Sequence, residues 1–221
     1  MAFTAQDVKT LREKTGVGMM ECKKALTEAD GDMDRAFEIL RERGLAASEK
    51  KASRIAAEGA VIAYTDEDAK VTVLLEINSE TDFVGKNEKF QEFGLNVAKT
   101  IAANKPASVE ALKDLEVEGV KIADLLISQT GVVGEKIDVS KYETIDAEKV
   151  VAYIHGNYRL GVLVGLSAQA DGVEEAGKDV AMQIAAMNPI AIDKDGVDQN
   201  TIEREIAIAK DQIIAEGKPA E

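Results

Sequence analysis

Residues 71 to 87 read Val-Thr-Val-Leu-Leu-Glu-Ile-Asn-Ser-Glu-Thr-Asp-Phe-Val-Gly-Lys-Asn, and the change of period inside this run sets the fold class. Val71 to Ile77 is apolar and rich in strand-forming side chains, as a buried strand requires. The pattern stops at Asn78, and four polar residues lead to Asp82 and Phe83, which read as the first turn of a helix from about Asp82 to Ala103. Phe83 has two readings. It can anchor the new helix to its sheet as an ordinary buried aromatic. As a rigid aromatic beside a charge at an element terminus, it also suits a contact with another protein.

Upstream, Val61 to Tyr64 is a second strand, joined to Val71–Ile77 by the polar turn Asp66-Glu67-Asp68-Ala69. The plan then recurs. Val61-Ile62-Ala63-Tyr64 corresponds to Val150-Val151-Ala152-Tyr153, and Val97 to Ala103 corresponds to Val180 to Ala186, with Pro106 and Pro189 following. The offset falls from 89 at the strands to 83 at the helices, so the first copy carries six additional residues, around Glu80 to Asn87. Extra length in one copy, where Asp82 and Phe83 sit, favours the contact reading, since packing did not require it. Ser108 to Thr130 reads as one or two helices leading to Gly131 and Gly134, and Lys136 to Ile145 as a strand entering the second copy. Val197 to Glu216 reads as a partly amphipathic helix with Ile202, Ile206, Ala209 and Ile213 on one side, stopped by Gly217-Lys218-Pro219.

The first 44 residues carry three helical patterns. Thr4 with Asp7 three residues on is a capping box, and Gly16 ends the first helix. Met19, Met20, Cys22, Ala25, Leu26 and Ala29 form the apolar stripe of the second, with one of the two methionines expected inside and the other at the surface. Asp32 caps a third helix bearing Ala36, Phe37, Ile39 and Leu40, and Gly44 is expected to stop it. Leu45 to Glu58, rich in Ala, Lys and Ser, reads as a helical linker.

Two segments in this order, Leu11-Arg12-Glu13-Lys14-Thr15-Gly16-Val17-Gly18-Met19-Met20-Glu21-Cys22-Lys23-Lys24-Ala25-Leu26 and Glu76 to Asn87, closely resemble the two signatures of the bacterial translation elongation factor Ts family. The resemblance implies an α+β protein: an N-terminal three-helix bundle of the ubiquitin-associated type, then a core of two duplicated hairpin-plus-helix subdomains. The corresponding division is 1–54 for the bundle with its linker, 55–145 for the first core subdomain and 146–221 for the second. Members of the family are guanine-nucleotide exchange factors for elongation factor Tu and make or break no bond. By resemblance, Thr81, Asp82, Phe83 and Val84 enter the partner's nucleotide-binding domain and displace what holds Mg²⁺ and phosphate. Arg12, Met19 and Met20 meet a helix of the partner, and Val133, Gly134 and His155 supply further contacts from the core. A homodimer or a 2:2 complex stays open. Gly85 departs from the family pattern, where alanine or serine is usual, and is expected to loosen its helical turn by about 1 kcal/mol. Longer members continue past Gly217-Lys218-Pro219, and contacts carried there are not assigned.

Composition narrows the alternatives. With 221 residues, 45% of them hydrophobic, the chain can bury a core of one or two domains. The formal charge of −14 is uneven: residues 1–54 hold 11 Lys/Arg against 10 Asp/Glu, and the remainder 16 against 31. Such a surface repels phosphate backbones, so direct nucleic-acid binding is not expected. No apolar run is long enough to span a bilayer, Met1-Ala2-Phe3-Thr4 does not open a secretory signal, and Cys22 is the lone cysteine, so a cytoplasmic protein without membrane contact is expected. No enzyme site emerges and no cofactor is expected. His155 is the single histidine, in a hairpin-turn context. Asp30-Gly31-Asp32-Met33-Asp34 imitates a calcium loop, but Arg35 and Arg41 occupy the positions that need glycine and a bidentate carboxylate. Gly16-Val17-Gly18 lacks the third glycine of a dinucleotide loop, and there is no phosphate-binding loop. A generic protein-binding adaptor and a small-molecule enzyme are the rival classes, the second disfavoured by these missing motifs.

Overall fold

The computed structural model describes residues 3–68 and 70–217. Ala69 of the expected turn and the Lys218-Pro219 of the expected stop lie outside them. Mixed helix and sheet is observed, with a helical N-terminal region. Helix α1 (Ala5–Thr15) begins with the expected reciprocal capping box: Asp7 N–H donates to Thr4 Oγ1, and Thr4 N–H donates to the Asp7 carboxylate at 2.7 Å. Gly16 closes it at φ +70°. Helices α2 (Met19–Glu28) and α3 (Met33–Lys51, capped by Asp32) follow, and Val8, Leu11, Cys22, Ala25, Leu26, Ala36, Ile39 and Leu40 fill the space between the three.

Gly44 does not stop α3, contrary to expectation. A helix-interior glycine costs only about 1 kcal/mol against alanine, and here it serves packing. Helix α7 (Ile122–Val133) crosses α3 so closely that a Cβ on Gly131 would lie 2.9 Å from the Gly44 Cα. Gly131 therefore belongs inside α7, and Gly134, at φ +81°, is the true cap. The absence of side chains at these two glycines lets α3 and α7 approach closely.

Strands β1 (Glu58–Asp66) and β2 (Val71–Ser79) pair antiparallel as expected. Strand β5 (Asp138–Asp146) pairs with the other edge of β2, giving the order β1-β2-β5. The segment expected only to lead into the second copy is thus the third strand of the first sheet. Between them lie α6 (Val109–Lys113), a small hairpin of β3 (Glu116–Val117) with β4 (Val120–Lys121) that periodicity did not reveal, and α7. A second hairpin, β6 (Lys149–His155) with β7 (Leu160–Leu166), precedes α8 (Val173–Met187).

These elements stack in layers. Phe90, Val97 and Ile101 of α5 (Glu88–Asn104) pack on the face of the sheet bearing Ile62, Val73, Leu75 and Ile77. Hairpin β6–β7 covers the opposite face, where a Cβ on Gly161 would meet Leu74 and Val61 at 2.6 Å, and α8 closes over that hairpin through Gly177 against Val151. Covered on both sides, β2 reads as a nearly continuous apolar run rather than an alternating one.

The helix expected over 82–103 is two helices. Four residues form α4 (Asp82–Gly85), and Asn87 then caps α5 by accepting from the N–H of Lys89 at 2.9 Å. The break falls at Asn87, whose backbone is extended at ψ 125°, and Gly85 has a separate role. Its Cα side faces the backbone of Gly59, where an added Cβ would lie 2.0 Å from the carbonyl oxygen. Gly85 thus seats α4 on β1 and does not merely loosen it.

The chain divides into two compact units, the first through Ala185 and the second from Ala186. In the second, Asp193 caps a 3-10 turn (Lys194–Gly196) and Asp198 caps α9 (Gln199–Ala215). The apolar side expected for α9 is not buried: Ile206 and Ile213 are exposed, and no residue of the helix is buried.

Alanine at position 85 reverses the sign of the propensity argument. Gly85→Ala should lose about 1–3 kcal/mol by forcing backbone to move, whereas Gly18→Ala, with open space around it, should stay within about 0.5 kcal/mol. Urea midpoints of the two variants check this, and a stabilised Gly85→Ala protein would contradict it.

Candidate partner-binding surface

Helix α4 is built from its flanks inward. Thr81 donates twice to Glu135, from its N–H to Oε2 at 2.9 Å and from Oγ1 to Oε1 at 2.7 Å. Next to this pair, Glu80 Oε1 accepts from the N–H of Lys136 at 2.7 Å. Two adjacent glutamates on segments 55 residues apart thus hold each other's neighbouring backbone. Arg54 pairs with Glu80 at 3.1 Å, and Lys136 Nζ donates to the carbonyls of Ala52 and Arg54 at 2.8 and 3.0 Å. Behind the helix, Val84 packs on the core, and Gln91 Nε2 donates to the Gly85 carbonyl at 3.0 Å.

With Thr81, Val84 and Gly85 committed to the scaffold, Phe83 faces outward and is 78% exposed. The anchor reading therefore fails for Phe83: Val84 and Gly85 do the packing. Asp82 pairs with Lys86 at 2.6 Å, and Lys86 Nζ lies 6.0 Å from the Phe83 ring centroid. The hydrogen bond from Lys86 holds the Asp82 carboxyl below the usual carboxylate range, with a smaller contribution from Arg159. Such an exposed pair adds little stability; it keeps a charge beside the aromatic.

Met19 and Met20 are both at the surface, 50% and 65% exposed, because Cys22, Ala25 and Leu26 already fill the interior. This corrects the expectation that one of them would face inward. Arg12 is exposed on α1. Val133 is partly buried against the core, and the exposed Gly134 follows it. His155 is exposed at the end of β6, with Nδ1 2.7 Å from Tyr153 Oη.

Residues 131–136 join several of these positions. Gly131 meets Gly44, Val132 lies beside Gly16 in the loop between Arg12 and Met19, Glu135 holds Thr81, and Lys136 holds the end of α3. Val133 and Gly134 sit in that connection. His155 stands apart in sequence, yet the turn after it reaches the same neighbourhood: Tyr158 O accepts from Val61 N–H at 2.7 Å, and Arg159 pairs with Glu58, next to the Gly59 on which α4 rests. Glu80, Glu135, Lys136 and the 84% exposed Ile55 were not singled out from the sequence. Gly-Glu-Lys is an unremarkable run, and nothing local signals a partner more than fifty residues away. Among the described residues, no three His, Cys, Asp or Glu side chains are grouped to hold a metal ion, and no helix is long and apolar enough to cross a membrane.

The Lys136 N–H, with Arg54 beside it and Lys51 further off, holds the Glu80 carboxyl below its usual range. A depressed folded-state value contributes stability above the unfolded value of about 4.3, which is lost as pH falls through the folded one. Stability should therefore fall more steeply below about pH 4.3 in the parent than in Glu80→Gln, which should be the less stable of the two at neutral pH. Urea midpoints over a pH series test this, and parallel curves would refute it.

The sequence model of the family described as Elongation factor TS matches residues 80–221. The chain is similar to the Elongation factor Ts of Amoebophilus asiaticus (strain 5a2), 49% identical over 220 residues that cover 99% of this chain and 79% of that one. It is also similar to the Elongation factor Ts of Christiangramia forsetii, 49% identical over 98% of this chain and 78% of the relative, and to that of Clostridium novyi (strain NT), 47% identical over 98% and 73%. With a family match over more than half its length and such identity along nearly all of it, the chain belongs to the elongation factor Ts family of translation elongation factors.

Proposed function

We propose that this chain binds elongation factor Tu in its GDP-bound form and promotes exchange of GDP for GTP by disturbing the partner's Mg²⁺ and phosphate site. The observation that carries the reading is the outward Phe83 on a helix otherwise committed to the scaffold. A large apolar side chain held in water beside a charge suits an interface hot spot. In this reading Asp82 and Phe83 are the probe, with Thr81 and Val84 setting its position. Arg12, Met19 and Met20 contact the partner from the N-terminal helices, and Val133, Gly134 and His155 from the core. The protein acts in the cytoplasm by protein binding alone, without a cofactor of its own. The division into 1–54, 55–145 and 146–221, with a ubiquitin-associated-like bundle and duplicated core subdomains, belongs to the same reading.

Energetics limit what the probe does alone. Exchange factor and nucleotide each weaken the other's binding to the partner by the same factor, since coupling is reciprocal. Weakening by three decades requires about 4 kcal/mol. Burying Phe83 contributes about 1.5–3 kcal/mol. The remaining contacts must supply the difference, and the flexible thioethers of Met19 and Met20 are suited to an adaptable share of it.

Release of fluorescent GDP from purified elongation factor Tu, chased with unlabelled GDP, tests the reading. The parent chain should accelerate release and Phe83→Ala should lose at least about tenfold of that effect. The same variant should unfold within about 0.5 kcal/mol of the parent because the ring is exposed, while Phe90→Ala, in the core, should lose about 3–5 kcal/mol. No acceleration by the parent, or full activity in Phe83→Ala, would overturn the proposal.

A further inference from the structure

A helix of four residues has no stability of its own, and α4 lacks the usual device for starting one. An N-cap threonine ordinarily accepts a hydrogen bond from the first turn; Thr81 is the N-cap residue of α4 but makes no such bond. Its hydroxyl donates to Glu135 Oε1 and its N–H to Oε2. Two bonds to one charged acceptor belong to the strong, directional class and fix orientation as well as position. The carboxylate is itself well founded: Glu135 follows the cap of α7 and precedes Lys136, whose N–H is held by Glu80 and whose ammonium is held by two carbonyls at the end of α3.

We propose that Glu135 is a positioning residue for nucleotide exchange, its carboxylate aiming α4 so that Phe83 meets the partner in the orientation that displaces nucleotide. This rests on the exchange reading above. Glu135 acts through Thr81, so its loss spares the scaffold behind α4, where Val84 and Gly85 pack, and releases the direction of the front. An aromatic that docks without the right direction contributes binding but little displacement, and the effect falls on the maximal rate rather than on the concentration needed to reach half of it.

The test uses the full chain with Glu135→Ala, Glu135→Gln, Thr81→Val and the Thr81→Val/Glu135→Ala double variant in the GDP-release assay. Amide hydrogen exchange on each free chain accompanies it. Glu135→Ala should lower the saturating rate about tenfold and shift the half-saturating concentration by no more than about threefold. Glu135→Gln, which keeps an acceptor oxygen, should recover part of the rate, and the double variant should be no slower than Glu135→Ala, since both substitutions cut one link. Exchange should quicken at residues 81–85 and stay unchanged in β1 and α5. An unaffected rate in Glu135→Ala, additive losses in the double variant, or protection lost across the whole chain would each overturn the role of Glu135 while leaving the exchange reading intact. A parent chain that fails to accelerate GDP release would overturn the exchange reading, and the role of Glu135 with it.

Discussion

Two carboxylates, Glu80 and Glu135, come from segments distant in sequence and each accepts a backbone N–H from beside the other. This exchange holds the end of β2 to the end of α7 in front of α4, whose back is packed through Val84 and Gly85. The junction is in turn only as firm as the helix crossing behind it, where Gly131 lies on Gly44 and Val132 on the loop at Gly16. One short stretch of chain therefore ties together the N-terminal helices, the sheet and the exposed Phe83. Charge-assisted bonds suit such a place because they fix direction as well as distance.

The sheet beneath provides the rigidity. Strand β2 is covered by α5 on one face and by hairpin β6–β7 on the other, so its end cannot tilt without opening a packed layer. Close approach is bought by missing side chains, at Gly94 and Gly161 within the layers and at Gly59 and Gly85 under α4. Side chains carried on elements supported in this way keep their geometry. Phe83, 78% exposed, contributes little burial free energy to folding.

Much of this was open to reading along the chain. The capping box at Thr4, the stop at Gly16, and the strands over Val61–Tyr64 and Val71–Ile77 follow from local backbone preferences and side-chain period. The offset between two similar stretches of sequence placed additional residues where α4 lies. Local rules also misled in instructive ways. Gly44 and Gly85 look like a stop and a weakness by propensity, yet each lies where another backbone must pass. Met19 and Met20 look like one core and one surface residue by helical period, but Cys22, Ala25 and Leu26 fill the interior and leave both outside.

Most strands and helices, several caps and family membership were legible because they depend on residues within a turn or two of one another, or on motifs read in order. The pairing of β5 with β2, the seat of Gly85 on Gly59 and the hold of Glu135 on Thr81 join residues from about 26 to 75 positions apart. No periodicity encodes such contacts, since they are selected by how layers close over one another. Whether Phe83 packs inward or faces solvent was the same kind of question. The choice turned on Val84 and Gly85 facing the scaffold, which is a property of the packed chain and not of the four letters around the ring.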